Sequence, residues 1–231
     1  MKKYFAALVM LLAVIPATAG TITFYSQAGL YYSVPSTNVN YPTYTTGPTV
    51  VVTPSPAWAS APVSPPAQWI SYGPTGYSQS LWQAPSLINP AVTIWADADG
   101  STPTFTANAP NLLSLTVYAD DTAGVFLWDN TTSTLTELQP PLLNVGTTCS
   151  GGVIGCTPGE QLTATWSLPA GSYTLYFTDY QLGNGLTTFD NPMGLLFWGS
   201  DTTTPEPGAF LLVGGGLLAL GGLLCRKLVR Q

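Results

Sequence analysis

The sequence predicts an all-β sandwich. Three observations carry that expectation. About eight short runs of β-branched and aromatic residues recur at spacings near ten residues. Pro, Gly and Asp clusters punctuate them, as in "LPAGS" (168–172) and "ADDT" (119–122). A helical period of 3.6 residues occurs only in the two terminal segments, and no repeat of 20–50 residues is present.

Taken in order, the chain opens with Met1-Lys2-Lys3, then the apolar run Ala6–Ile15, then Ala17-Thr18-Ala19. A basic start, a short apolar core and an A-x-A site describe a secretory signal peptide over residues 1–19, cleaved after Ala19. The core is about ten residues, too short to span a bilayer comfortably.

Residues 20–47 form an uncharged, Tyr- and Thr-rich N-terminal segment, with strand-like alternation in "GTITFYSQAGLYYSV" (20–34). The β-sandwich domain is expected over residues 48–200. Its strand candidates are Val50–Val52 and residues 68–72, 92–96, 112–120, 123–130, 133–139, 161–168, 172–180 and 193–200. In "LLSLTVYAD" the residues Leu113, Leu115 and Val117 share one face. In "QLTATWSL" the residues Leu162, Ala164 and Trp166 do. Asp120-Asp121-Thr122 reads as the turn joining two of these strands.

Residues 201–207 form a linker that contains Pro205-Glu206-Pro207. Residues 208–225 are uncharged, apolar and Gly/Leu-rich. At about 1.5 Å per residue, 18 residues reach roughly 27 Å, enough for a transmembrane helix. The basic tail, residues 226–231, carries Arg226, Lys227 and Arg230 and is expected to stay cytoplasmic, leaving the body outside.

Charge excludes much chemistry. The chain has 11 acids, 5 bases and no histidine, and no Lys or Arg lies between residues 4 and 225. Nucleophilic catalysis through an imidazole is therefore unavailable. So are a basic phosphate grip and a nucleic-acid surface, which needs cations to displace counterions. Residues 20–205 hold ten acids and no base. Such a surface repels anionic polymers and tolerates neutral glycans and divalent cations.

Cys149 and Cys156 flank "SGGVIG". In an exported protein they read as a small-loop disulfide worth about 2.5 kcal/mol in the chain-entropy picture. The other reading, a pair of metal thiolates, lacks the ligands to complete a zinc site. Cys225, at the inner edge of the terminal helix, reads as a free thiol.

Asp97-Ala98-Asp99-Gly100 sets alternating carboxylates before a glycine, a pattern suited to Ca2+, although the further ligands of an EF-hand loop are missing. The other reading is a solvated acidic turn. Asp120 and Asp121 carry a similar choice between a structural cation and a turn cap, and the turn cap is favoured. Of the seven tryptophans, Trp82 and Trp128 lie beside turn signals and are the candidates for an exposed platform under a sugar ring; the rest read as core. A paired-carboxylate hydrolase would have to use Glu137 and Glu160, the two Glu residues of the body, and nothing in the sequence brings them together.

The C-terminal order of Pro205-Glu206-Pro207, Gly/Leu helix and Arg226, Lys227, Arg230 resembles the PEP-CTERM sorting signal of Gram-negative bacteria. That resemblance implies processing by exosortase, a membrane-embedded cysteine transpeptidase. It also implies an inner-membrane intermediate and delivery to the cell surface or the exopolysaccharide matrix. The body, with "PSPAWASAPVSPPAQWISYGPTG", "LTVYADDTAGVFLWDN", "LPAGSYTLYFTDYQLGNG" and "PMGLLFWGS", resembles galactose-binding-like jelly rolls found among such proteins. There the chain departs from the common pattern, reading "VFLWDN" after the A-D-D-T turn. The resulting expectation is a jelly-roll-type β-sandwich that is exported and non-enzymatic, with a structural or adhesive role. The alternative is a surface-displayed carbohydrate-binding module with a calcium-stabilised loop.

Overall fold

The computed structural model describes residues 20–33, 46–77, 91–95, 105–107, 110–142, 153–180 and 192–203. The signal segment with Ala17 and Ala19, the linker motif Pro205-Glu206-Pro207, residues 208–225 and the tail with Arg226, Lys227 and Arg230 lie outside them. Among the described residues every regular element is a β-strand.

The first sheet contains β1 (Thr21–Tyr25), β4 (Val50–Val51), β5 (Ile70–Ser71), β8 (Asn111–Asp120), β11 (Leu162–Leu168) and β13 (Gly194–Thr203). Its order is β11-β8-β13-β5-β4, with β1 also on β13. The second contains β2 (Tyr31–Ser33), β3 (Thr46–Pro48), β6 (Ala91–Trp95), β7 (Phe105–Ala107), β9 (Thr122–Asp129), β10 (Thr134–Gln139) and β12 (Gly171–Tyr180). Its order is β10-β9-β12-β6-β2-β3, with β7 also on β12. All pairings are antiparallel.

The inner faces follow the alternation read from the sequence. Leu113, Leu115, Val117 and Ala119 of β8 are buried, as are Ala123, Val125 and Leu127 of β9. Leu175 and Phe177 of β12 and Leu195 and Phe197 of β13 complete the centre. Phe177 and Phe197 stack across the gap between the sheets, with ring centroids 4.3 Å apart. Leu162, Ala164 and Trp166 of β11 pack on the same core.

The first sheet also buries part of its outer face. Residues 52–69 fold over it, so that Val52, Trp58, Ala59, Ala67 and Trp69 pack against Tyr118 and Leu196. Trp58 and Trp69 lie 4.3 Å apart between centroids, and the Trp69 indole donates to the Ala59 carbonyl at 3.0 Å. Beyond this cover the outer face is lined with hydroxyls. Ser114 pairs with Thr165 and Thr116 with Thr163 across strands, the polar side of a half-solvated sheet. Gly199 is needed where β1 crosses. A Cβ there would meet the Ser114 carbonyl oxygen and lie 2.8 Å from the Phe24 ring, which covers the glycine instead.

Two expectations need correction. The sandwich does not begin at residue 48: β1 and β2, inside the segment 20–47, already pair with β13 and β6. At the other end β13 continues through Thr203, into the expected linker. Asp120-Asp121-Thr122 joins two strands, as expected, but the two do not pair with each other. β8 pairs with β11 and β13, β9 with β10 and β12, and Asp121 is the single residue between strands of different sheets.

Cys156 is fully buried and disulfide-bonded. Its expected partner, Cys149, lies outside the described residues.

Candidate functional site

The outer face of the second sheet carries a concentration of half-exposed aromatic residues. On β9 the inward positions are Ala123, Val125 and Leu127, so Phe126 and Trp128 face outward. On β12 the same alternation turns Thr174, Tyr176, Thr178 and Tyr180 outward. Register then aligns them. Trp128 sits between Leu135 of β10 and Thr174 of β12; Phe126 sits between Glu137 and Tyr176. The second row continues in register through Trp95 of β6, Tyr31 of β2 and Pro48 of β3. Thus one row crosses six strands. Leu135 is 57% exposed and Tyr31 37%; Phe126, Trp128 and Tyr176 are half-buried.

Local structure fixes this surface. The β9–β10 hairpin closes on Asp129, whose Oδ1 accepts the amides of Thr131 at 2.7 Å and Thr132 at 3.2 Å. The slight desolvation of Asp129 raises its pKa, and the hydrogen bonds from Thr132 and Thr131 outweigh that, leaving it below the usual value. Asn130 reaches back to the hydroxyl of Thr174 at 3.0 Å. Gly124 leaves room for its neighbours: a Cβ there would lie 2.7 Å from the Thr178 hydroxyl and 2.8 Å from the Phe126 ring. The face offers apolar ring surfaces with hydroxyl, amide and one carboxylate group around them.

A second group lies at the corner between the sheets. Asp120, Asp121 and Asp179 are 4%, 3% and 0% exposed. Asp120 Oδ2 accepts the Trp58 indole N–H at 2.9 Å. Among the described residues neither oxygen of Asp179 has a hydrogen-bond partner within normal range; the Tyr180 amide acts in the direction that favours its charge. Burial, then the neighbouring charge and hydrogen bond of Asp121, push the Asp120 carboxyl well above the carboxylate range, against the Trp58 donor. Burial does the same to Asp179, aided by the charges of Asp120 and Asp121.

Some of the residues singled out in the sequence fall among the described residues. Trp128 is on the aromatic face, together with Phe126 and Tyr176, which sequence reasoning missed. The signal was the F-x-W spacing of β9 and the Y-x-T-x-Y spacing of β12, each placing rings on one side of a strand. Trp82, Asp97 and Asp99 lie outside the described residues. Asp120 and Asp121 are both buried. Asp120 Oδ2 accepts the Trp58 indole N–H where the chain passes between the sheets. Among the described residues no three acidic, Cys or His side chains are grouped to hold a metal ion. Glu137 is on the second sheet, whereas Glu160 precedes β11 of the first and accepts the Thr157 hydroxyl at 2.5 Å.

No protein-family model and no curated protein sequence matches the chain. Solved structures give distant overlaps. The C-terminal CBM6 of LamC, a laminarinase from Zobellia galactanivorans, is 13% identical with a TM-score of 0.33, covering 80% of this chain and all of that one. The K1 cleaved adhesin domain of Lys-gingipain from Porphyromonas gingivalis W83 is 12% identical with a TM-score of 0.38, covering 82% and 100%. The carbohydrate-binding module CBM6cm-2 of Cellvibrio mixtus lichenase 5A, solved with cellotriose, is 11% identical with a TM-score of 0.29, covering 79% and 97%. Overlaps this loose transfer no site and no ligand.

Proposed function

We propose that this chain is an exported, non-enzymatic β-sandwich that holds neutral glycans on the outer face of its second sheet. The observation that carries the reading is the half-exposed set Phe126, Trp128 and Tyr176, aligned on adjacent strands. A pyranose ring presents a face of C–H groups that packs on an aromatic ring, while its hydroxyls bond to polar groups at the rim. Here Thr178, Asn130 and Glu137 supply that rim. A rigid sheet holds the rings in place, so little ordering is required on binding. The excess of acids and lack of bases in residues 20–205 disfavour acidic polymers and leave neutral chains as the partner class.

The sorting reading completes the proposal. The Pro205-Glu206-Pro207 signal would bring the protein through an inner-membrane intermediate to an exosortase-type enzyme and on to the surface or the exopolysaccharide matrix. There a glycan-holding sandwich would act as an adhesive component.

Two measurements test the two halves. In affinity electrophoresis through gels containing a soluble β-1,3-glucan, a β-1,4-glucan or an α-glucan, at least one neutral polymer should retard the protein. Trp128→Ala should then weaken retardation by about tenfold or more while leaving the fold intact, a loss of about 1.4 kcal/mol or more. Equal retardation of variant and parent would remove Trp128 from the site. For sorting, the mass of the protein recovered from a host carrying the processing enzyme should correspond to a chain that starts near Gly20 and ends near Pro205–Gly208. Recovery from the inner membrane with Arg230 retained would discard that half.

A further inference from the structure

The carboxyls at the sheet corner lie outside the proposed glycan face and are buried polar groups of the described residues. Asp179 is fully buried and, among the described residues, neither of its oxygens has a hydrogen-bond partner within normal range. An ionised carboxylate in that position is strongly disfavoured. The ordinary remedy, a neighbouring cation, is absent from the whole body, because no Lys, Arg or His lies between residues 4 and 225.

The groups around it make the matter worse. From the strand junction come Asp120 and Asp121, both of which repel charge on Asp179. From the cover over the first sheet comes the neutral Trp58 indole, spent on Asp120. From β12 comes only the Tyr180 amide. From β13 comes Gly194, paired with Asp120 and bearing no side chain. Like charges so placed with no counter-ion are held in a fold by protonation.

We propose that Asp120 and Asp179 form a proton-held latch at the corner where the two sheets meet, neutral when closed and opened by loss of their protons. The position gives the latch leverage. Asp121 is the single residue linking a strand of the first sheet to one of the second, and its amide bonds the Tyr180 carbonyl at 2.9 Å, next to Asp179. Charge on both carboxyls would press β8, β9 and β12 apart at their common end.

The sign follows from linkage. An unfolded Asp loses its proton near pH 3.9. In the folded chain Asp120 and Asp179 keep theirs well above that. The folded state therefore binds more protons over that window, so stability is greatest at low pH and declines as pH rises toward the folded values.

The experiment uses the full chain in mild detergent with a chelator present, melted at several pH values from 5 to 9. The melting temperature should fall with rising pH. Asp179→Asn, which keeps shape without charge, should reduce that slope by at least half and melt above the parent at pH 9. Infrared difference spectra should show a protonated carboxyl band in the parent at neutral pH that weakens in Asp120→Asn. An unchanged slope in Asp179→Asn, or no protonated carboxyl band, would overturn the latch. So would a melting temperature raised by Ca2+ in the parent but not in Asp179→Asn, since that result would make the corner a cation site. If Asp179→Asn does not fold, the infrared spectra of parent and Asp120→Asn decide alone. None of these readouts involves glycan, so the latch and the binding face can fail separately.

Discussion

Phe177→Ala is expected to cost about 4 kcal/mol, within the range of 3–5 for truncating a buried Phe. The ring is fully buried and stacks on Phe197 from the facing sheet, centroids 4.3 Å apart and planes 23° from parallel. It is therefore a bond between the layers as well as a filler of one. Removing it takes apolar surface from the core and leaves a cavity whose walls belong to two sheets. Neither wall can collapse inward without shifting β12 or β13, each paired on both sides. Against a total stability of about 5–15 kcal/mol, the loss is large. Guanidinium unfolding should show a lower midpoint with an unchanged slope. Phe177→Leu should lose roughly half as much, because it retains most of the volume. An alanine variant within about 1 kcal/mol of the parent would mean that the two sheets are not held by this stack.

The stack also marks how far the sequence could be read. Composition identified both strands, "SYTLYFTDY" and "MGLLFWGS", that carry Phe177 and Phe197. It could not indicate that they face each other. Period gives the side of a strand; the partner is chosen by long-range register, and β1 pairs with β13 across roughly 180 residues of chain.

The pairing partners of β8 and β9 were hidden for the same reason. "LTVYADDTAGVFLWDN" has the pattern of two strands around a polar turn, and nothing local distinguishes pairing with each other from pairing in separate sheets. The boundary at residue 48 failed for a related reason. A short, proline-flanked, uncharged strand such as β2 has little apolar contrast of its own and is stabilised by its neighbours in the sheet. β7, three residues long, gave no signal that strand alternation could register.

At the candidate site the sequence pointed to Trp128 because it precedes a turn. It did not point to Tyr176, whose membership of the face depends on the β9–β12 register. The buried corner was legible only as an acidic dipeptide. That Asp179 joins it, some sixty residues later, is a property of the assembled sheets.

Trp58 ties that corner to the cover over the first sheet, and two substitutions there separate its roles. Its side chain is 6% exposed, packs on Trp69 and occupies space that a side chain at position 194 would invade: a Cβ on Gly194 would lie 2.9 Å from the indole. Trp58→Ala should cost about 3–5 kcal/mol through lost packing. It should also release residues 52–69, because Ala59 and Trp69 are held through the same cluster. Trp58→Phe keeps most of the ring and removes the N–H that meets Asp120 Oδ2 at 2.9 Å. That leaves a buried acceptor without its donor, for a loss of about 1–3 kcal/mol. The two losses differ in their dependence on pH. The indole favours the charged form of Asp120 against burial and against Asp121, so its hydrogen bond is worth more once the carboxyl is ionised. The cost of Trp58→Phe should accordingly grow as pH rises from 5 to 9, whereas the packing part of Trp58→Ala should not. Denaturant titrations of both variants at the two pH values measure this directly. A phenylalanine variant equal to the parent at both would show that the indole is a packing group and that Asp120 is held neutral by burial and its neighbour alone.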